Sequence, residues 1–123
     1  MKHEKDILPP AYEGVENHLL ALFYSGVYIT NAEMVKVGKS LGLDLPMKDR
    51  TALLKHIMRY AHDNDLKPQM LLGFIGVIKS RIESYEILAK EFPQAKNVIA
   101  GWIQKARSTV LLLQREMRIN PYE

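Results

Sequence analysis

The sequence predicts an all-α protein: a single-domain bundle of four to five helices that ends in a long antiparallel C-terminal helical hairpin. The main observation is a pair of apolar seams in the second half of the chain, each stepping by four and then three residues. This mean spacing of about 3.5 residues is typical of helices that pack lengthwise against another helix. Pro93 separates the seams and cannot continue the first helix. The first seam comprises Leu71, Ile75, Ile78, Ile82, Tyr85, Ala89 and Phe92. The second seam comprises Ile99, Ile103, Ala106, Val110, Leu113 and Met117.

The composition is that of one globular domain, with 123 residues, of which 47% are hydrophobic and 25% are charged. The chain has no cysteine, which excludes disulfides, thiolate metal sites and a cysteine nucleophile. Its first residues are charged and lack the apolar segment of a signal peptide. The longest nearly uncharged stretch, Leu19 to Ala32, is too short to span a bilayer. We therefore expect a soluble, cytoplasmic protein with no membrane partner.

The first half of the chain predicts a flexible arm over residues 1–9 and shorter helices over residues 10–65. Pro10 suits the first position of a helix, and apolar residues follow it at helical spacing as far as Val27. A strand over Leu22 to Ile29 is the competing interpretation, because this stretch is rich in tyrosine and β-branched residues. Helix is favoured, because the chain contains no second convincing strand to pair with it.

Start and stop signals divide the rest of this region. Thr30 and Glu33 fit a capping box that begins a short helix, and Gly42 suits the residue that follows its end. We expect the next helix to begin at Pro46. It should end in His62–Asp65, whose polar residues are poor helix formers.

Prolines also punctuate the hairpin, which is predicted over residues 67–118. Pro68 is expected to open its first helix and Pro93 its second. Asn120-Pro121 is expected to close the second helix, because proline cannot continue it.

Two glycines, Gly73 and Gly76, lie inside the first hairpin helix, where each costs about 1 kcal/mol relative to alanine. Close approach of another backbone usually compensates for such a cost. We expect the helix around residues 19–27 to cross the hairpin at this point. The alternative is a groove that accepts a partner helix.

No residue pattern predicts catalysis, a metal site or a cofactor. The four histidines, His3, His18, His56 and His62, form neither a His-x-x-x-His nor a Glu-x-x-His pair. His18 lies on an apolar helix and is interpreted as an interior or boundary residue. The chain contains no nucleophile elbow and no glycine-rich phosphate loop. We therefore expect a non-enzymatic protein without a cofactor.

Several apolar residues lie off the two seams, and a hairpin alone cannot cover them. If the first three helices leave them uncovered, they form an exposed patch of the kind that marks a protein interface. The interface candidates are Phe74, Val77, Trp102 and Leu112. Trp102 is the best anchor, with a core position as its alternative. The favoured function is therefore a helical interaction module that forms a homo-oligomer or binds another protein through apolar helix faces.

Positive charge is concentrated in residues 36–62 and 93–118, each of which has an excess of four basic residues over acidic ones. This distribution predicts nucleic-acid binding as the alternative function, through a face that contacts phosphates. The competing interpretation is that these residues lie on solvated faces of amphipathic helices. The nucleic-acid candidates are Lys36, Lys39, Lys48, Arg50, Lys55, Arg59, Lys105, Arg107, Arg115 and Arg118.

A helix–extended–helix outline covers residues 31–62, about a quarter of the chain. It consists of a short helix, Leu41-Gly42-Leu43, Arg50, Leu53-Leu54 and Ile57-Met58. With a gap of one residue, this outline is similar to small nucleic-acid-binding modules of the SAP type and of the Rho-terminator N-terminal type. The resemblance implies that the first basic block contacts nucleic acid.

Overall fold

The computed structural model describes residues 10–46 and 49–118, and in these ranges the chain is helical and contains no strand. The all-α class is therefore confirmed for the described part of the chain. The helices are α1 (Pro10–Tyr24), α2 (Asn31–Ser40), α3 (Arg50–Asp63), α4 (Lys67–Glu91) and α5 (Lys96–Arg118). The strand considered for residues 22–29 does not form, because α1 continues to Tyr24 and a turn and irregular chain follow it.

Helix α2 begins and ends as the sequence predicts. The Glu33 backbone N–H donates to the Thr30 hydroxyl at 3.0 Å, and the Thr30 N–H donates to the Glu33 carboxylate at 2.9 Å. These bonds satisfy two N–H groups that the first turn of a helix leaves without partners. At the other end, Gly42 has φ +91°, and the Leu43 N–H donates to the Gly38 carbonyl at 2.9 Å. This is the six-to-one bond of a Schellman ending.

The predicted start of α3 is wrong. The helix begins at Arg50 rather than at Pro46, because Asp49 provides a stronger start signal. The Asp49 carboxylate accepts a 2.9 Å hydrogen bond from the Ala52 N–H, so it caps the first turn. Pro46 lies in the irregular link before the helix.

The end of α3 falls in the predicted polar segment, and it repeats the Schellman geometry without a glycine. The Leu66 N–H donates to the Ala61 carbonyl at 2.7 Å, and the Asp65 N–H donates to the His62 carbonyl at 3.3 Å. Asp65 occupies the left-handed position with φ +56°. This conformation is strained for a residue with a Cβ, and a carboxylate at a helix C-terminus is electrostatically unfavourable.

The two long helices differ slightly from their predicted starts. Lys67 is the first residue of α4, with Pro68 at its second position. Pro93 opens a single 3-10 turn, Pro93–Ala95, and α5 follows from Lys96. The arm predicted over residues 1–9 and the closure predicted at Asn120-Pro121 lie outside the described residues.

Packing of α4 beside α5 forms one wall of the core. Lys79 and Ile82 of α4 lie beside Val110 and Gln114 of α5, whereas Lys90 lies beside the early part of α5. Helix α1 packs on α5 and α3, while α2 packs on α3 and α4. The largest fully buried side chains come from all of the first four helices and the α1–α2 connection: Phe74, Leu19, Leu22, Ile29, Met34, Leu53, Leu54, Ile57, Met58, Met70, Leu71 and Ile78.

The expected crossing of α1 over the glycines of α4 is wrong, because α2 takes that place. A Cβ on Gly73 would lie 3.1 Å from Cγ1 of Val37 in α2, so the absence of a side chain permits this packing. Gly76 has no such neighbour within 4 Å and lines an open depression between α2 and α4. Only Gly73 therefore has the close neighbour that compensates for a helical glycine.

The two Schellman endings predict opposite effects of glycine and alanine. We expect Asp65→Gly to raise the free energy of unfolding by about 0.5–1 kcal/mol, because glycine adopts a positive φ without steric cost and removes the carboxylate. Gly42→Ala should lower it by about 1 kcal/mol for the converse reason. Urea denaturation at neutral pH measures both changes. Asp65→Asn, which removes only the charge, is the control, and a loss of stability in Asp65→Gly would contradict the strain at this position.

Candidate functional site

The outer side of the hairpin carries large apolar side chains that no other described element covers. Leu111 is the most exposed of them on α5, at 66% of its surface. The other exposed large apolar residues of the hairpin are Leu72, Ile87, Phe92 and Val98. Scattered apolar residues are normal at protein surfaces. They indicate a binding site only where they lie together along a groove or in a patch.

Leu111 lines such a feature, a groove between α4 and α5 that we call the outer groove. Three depressions of about 520, 380 and 470 Å³ follow one another along the two helices. The first two share Glu86, Arg107 and Leu111, and the last two share Glu86, Ala100 and Ile103. Because neighbouring depressions share residues, they adjoin one another in a series along the two helices.

The walls of the outer groove are apolar at the floor and charged at the rim. The floor consists of Ile82, Ala89, Ile103 and Val110, and the exposed Leu111 lies at the edge. The charged rim consists of Lys79, Glu83, Glu86, Lys90, Lys96 and Arg107. In the middle, an Arg107 guanidinium nitrogen lies 3.2 Å from a carboxylate oxygen of Glu86. About half of each of these two side chains is exposed, so the pair is solvated and contributes about 1 kcal/mol or less.

The structure places the predicted interface candidates elsewhere. The prediction that Phe74 is an interface residue is wrong, because Phe74 is fully buried in the core and no partner can reach it. Val77 is partly buried beside α2, and Leu112 is partly buried on α5. The Trp102 ring is partly buried and packs 5.4 Å from the Tyr85 ring, centre to centre. A Cβ on Gly26 would lie 2.9 Å from the indole nitrogen of Trp102, so the indole also packs against the turn after α1.

Three of the basic candidates, Arg50, Lys55 and Lys36, lie in different surroundings. The Arg50 guanidinium stacks 4.3 Å from the Tyr28 ring centre and 5.2 Å from that of Phe23. Lys55 lies 3.7 Å from Glu16 of α1, whereas Lys36 lines the depression between α2 and α4. Lys48 lies outside the described residues, and Arg59 is partly buried. The remaining candidates are exposed: Lys39, Lys105, Arg107, Arg115 and Arg118.

A cluster of polar side chains ties α1, α4 and α5 together at one end of the bundle. Glu116 of α5 lies 3.6 Å from His18 Nε2 and 3.9 Å from Lys67 Nζ. The Lys67 ammonium lies 5.6 Å from the centre of the Tyr12 ring, whose edge meets His62. The predicted interior or boundary position of His18 is confirmed by its partial burial. Each charge has an opposite or aromatic neighbour, so the cluster acts as a bridge between helices.

Neither a metal-ligand cluster nor a membrane-spanning helix is present in the described ranges. In these ranges, no three side chains of histidine, aspartate or glutamate converge on a point that could hold a metal ion. None of the described helices combines the length and the apolarity that are needed to cross a bilayer. Neither a protein-family model, nor a curated protein, nor a solved structure matches the chain.

The outer groove has a sequence signal of its own. Ala100, Ile103, Arg107, Leu111 and Gln114 recur at spacings of three and four, so they share a stripe of α5 beside the buried seam. Residue spacing cannot show whether that stripe is covered.

The buried Tyr12 hydroxyl predicts a loss of stability in alkali. Burial, and secondarily the charges of Asp65 and Asp63, raise the pKa of Tyr12 from 10.0 to about 12. The neutral hydroxyl therefore contributes to stability fully below pH 10, and this contribution is lost as the pH rises through about 12. We expect Tyr12→Phe, which cannot ionise, to lose less stability than the wild type over this range. Urea midpoints measured against pH test this.

Tyr24→Phe is the matched control for this titration, because Tyr24 is almost fully exposed. It should retain the alkaline sensitivity of the wild type. Parallel loss of stability in the wild type and in Tyr12→Phe would contradict the raised pKa of Tyr12.

Proposed function

We propose that this chain is a non-enzymatic helical interaction module that binds an apolar helix face of a protein partner in its outer groove. The observation that carries the proposal is the series of adjoining depressions along both long helices, with an apolar floor and an exposed leucine at the edge. Grooves of this form accept amphipathic helices through anchors spaced three and four residues apart.

The dimensions of the outer groove suit a helix. From Lys96 to Gln114 the groove follows α5 for 18 steps, or about 27 Å at about 1.5 Å per residue. Covering the exposed part of Leu111 would contribute about 1–2 kcal/mol from the removal of apolar surface from water. The floor residues on both walls add to this term.

The polar groups of the groove favour binding over catalysis. Glu86 is paired with Arg107, and the other charges lie on the rim rather than converging on one point. A general acid or base needs a titratable group aimed into a cleft where a substrate can sit. A charged rim around an apolar floor is instead the arrangement of many protein-binding surfaces.

Site-specific photo-crosslinking in cells that produce the chain tests this proposal. A benzophenone amino acid replaces Leu111 in the groove or, as the matched control, Lys105, which is exposed on α5 and does not line the groove. We expect discrete covalent protein adducts from position 111 that are absent from position 105. Gel shifts and mass spectrometry of the adducts provide the measurement.

A second change shows whether the adducts depend on the groove. Ala100 is exposed and lines the groove, so Ala100→Glu places a charge in it without disturbing the core. The adducts from position 111 should fall at least several-fold in this variant. Identical adduct patterns from positions 105 and 111, or no adducts from either, would overturn the proposed function.

A further inference from the structure

We propose that the occupant of the outer groove is a second copy of this chain, so that two hairpins form an antiparallel four-helix arrangement. This inference rests on the proposed function of the groove and adds the identity of the partner. Its main argument is the charge pattern along the two walls.

The register of α4 beside α5 determines which charges two copies bring together. Glu86 of α4 lies at the same height along the helix axes as Arg107 of α5, with which it forms an ion pair. Lys79 of α4 lines the same depression as Gln114 of α5, and Lys90 of α4 lines the same depression as Ile103 of α5. If a two-fold axis runs parallel to the helices over the groove, each α4 faces α5 of the second copy. A rotation about this axis leaves the height of every residue along the helices unchanged, so residues at the same height in one copy also face each other between copies.

In this arrangement Glu86 faces Arg107 of the second copy, and Arg107 faces Glu86 of the second copy. The charged pair within each chain thereby becomes a ring of four alternating charges at the centre of the interface. Lys79 shares its depression with the uncharged Gln114, whereas Lys90 shares its depression with Ile103 and Lys96, so the favourable pairing is that of the central ring.

The other face-to-face symmetry is electrostatically unfavourable when its axis crosses the helices at the level of Glu86. A two-fold axis across the helices at the level of Glu86 would place α4 on α4 and bring the two Glu86 carboxylates together. The two Arg107 guanidinium groups would meet in the same way. Like charges opposed in an interface cost free energy, so the charge pattern favours the axis parallel to the helices over an axis across them at the level of Glu86.

The area of the groove face meets the minimum expected of a biological dimer. A rectangle about 27 Å long and about 20 Å wide, the width of two helices, covers about 540 Å² on each copy. The total of about 1,100 Å² exceeds the roughly 1,000 Å² expected of a biological interface and lies at the small end of the size range. Two helix pairs packed in this way make the four-helix geometry that soluble bundles commonly adopt.

Charge reversal tests the pairing directly. Glu86→Arg leaves only positive charges in the central ring, and Arg107→Glu leaves only negative charges. We expect each variant alone to self-associate about tenfold more weakly than the wild type, because two favourable pairs become repulsive. An equimolar mixture should recover association close to that of the wild type, because arginine at 86 and 107 then faces glutamate. Sedimentation velocity at several concentrations measures all four samples.

Two charge reversals outside the groove serve as controls. Glu13→Arg on α1 and Arg115→Glu on α5 are exposed and make the same changes of charge. They should associate like the wild type. Circular dichroism melts verify that all variants are folded, which is expected because Glu86 and Arg107 are about half exposed.

Engineered cysteines distinguish the two symmetries, since the chain has no cysteine of its own. A mixture of Glu86→Cys and Arg107→Cys should form an interchain disulfide under mild oxidation, whereas neither variant should do so alone. Crosslinking of Glu86→Cys with itself would overturn the proposed arrangement.

The remaining outcomes separate this inference from the proposed function. A wild-type chain that stays monomeric at hundreds of micromolar, or a mixture that fails to recover association, overturns the second copy as the occupant. If position 111 still crosslinks other proteins, the proposed function survives that result. Loss of all groove-dependent adducts would overturn both the proposed function and the second copy as the occupant.

Discussion

The packing of α4 beside α5 is the interaction on which the rest of the structure depends. Helix α4 contacts α2, α3 and α5, while α5 contacts α1, so every shorter helix packs on the hairpin. Ile78 and Ile82 of α4 and Leu113 of α5 are buried in the same core cluster. If this pair of helices separated, α1 and α2 would lose the surfaces that bury Leu19 and Val37. The hairpin therefore sets the positions of the other helices.

Much of the fold was predictable because its signals are local. A seam that repeats at about 3.5 residues, a capping box at Thr30 and a glycine at position 42 each act within a few residues of themselves. The predictions failed where two signals competed or where tertiary packing decided. Asp49 outweighed Pro46 at the start of α3, and the partner of Gly73 depended on which helix crossed α4.

The candidate site was less predictable, because it depends on which side of the hairpin the shorter helices cover. Phe74 and Leu111 are both apolar residues next to a seam residue, yet one is buried and the other is mostly exposed. Their local sequences do not distinguish these outcomes. The difference arises because α1, α2 and α3 all pack on one side of the α4–α5 pair. The outer groove therefore stays open on the other side of this pair.

In the proposed complex, the Glu86–Arg107 pair would give the outer groove a means of selecting its partner. In the free chain both side chains are solvated, so the pair adds little to stability. Once the groove is covered, both charges lose water, and their own pairing is the contact that offsets this loss unless the partner adds opposite charges. A partner with a mismatched charge at that level pays for desolvation without compensation, which costs several kcal/mol in protein interfaces. The apolar floor would then provide affinity, and the central pair would provide specificity and register.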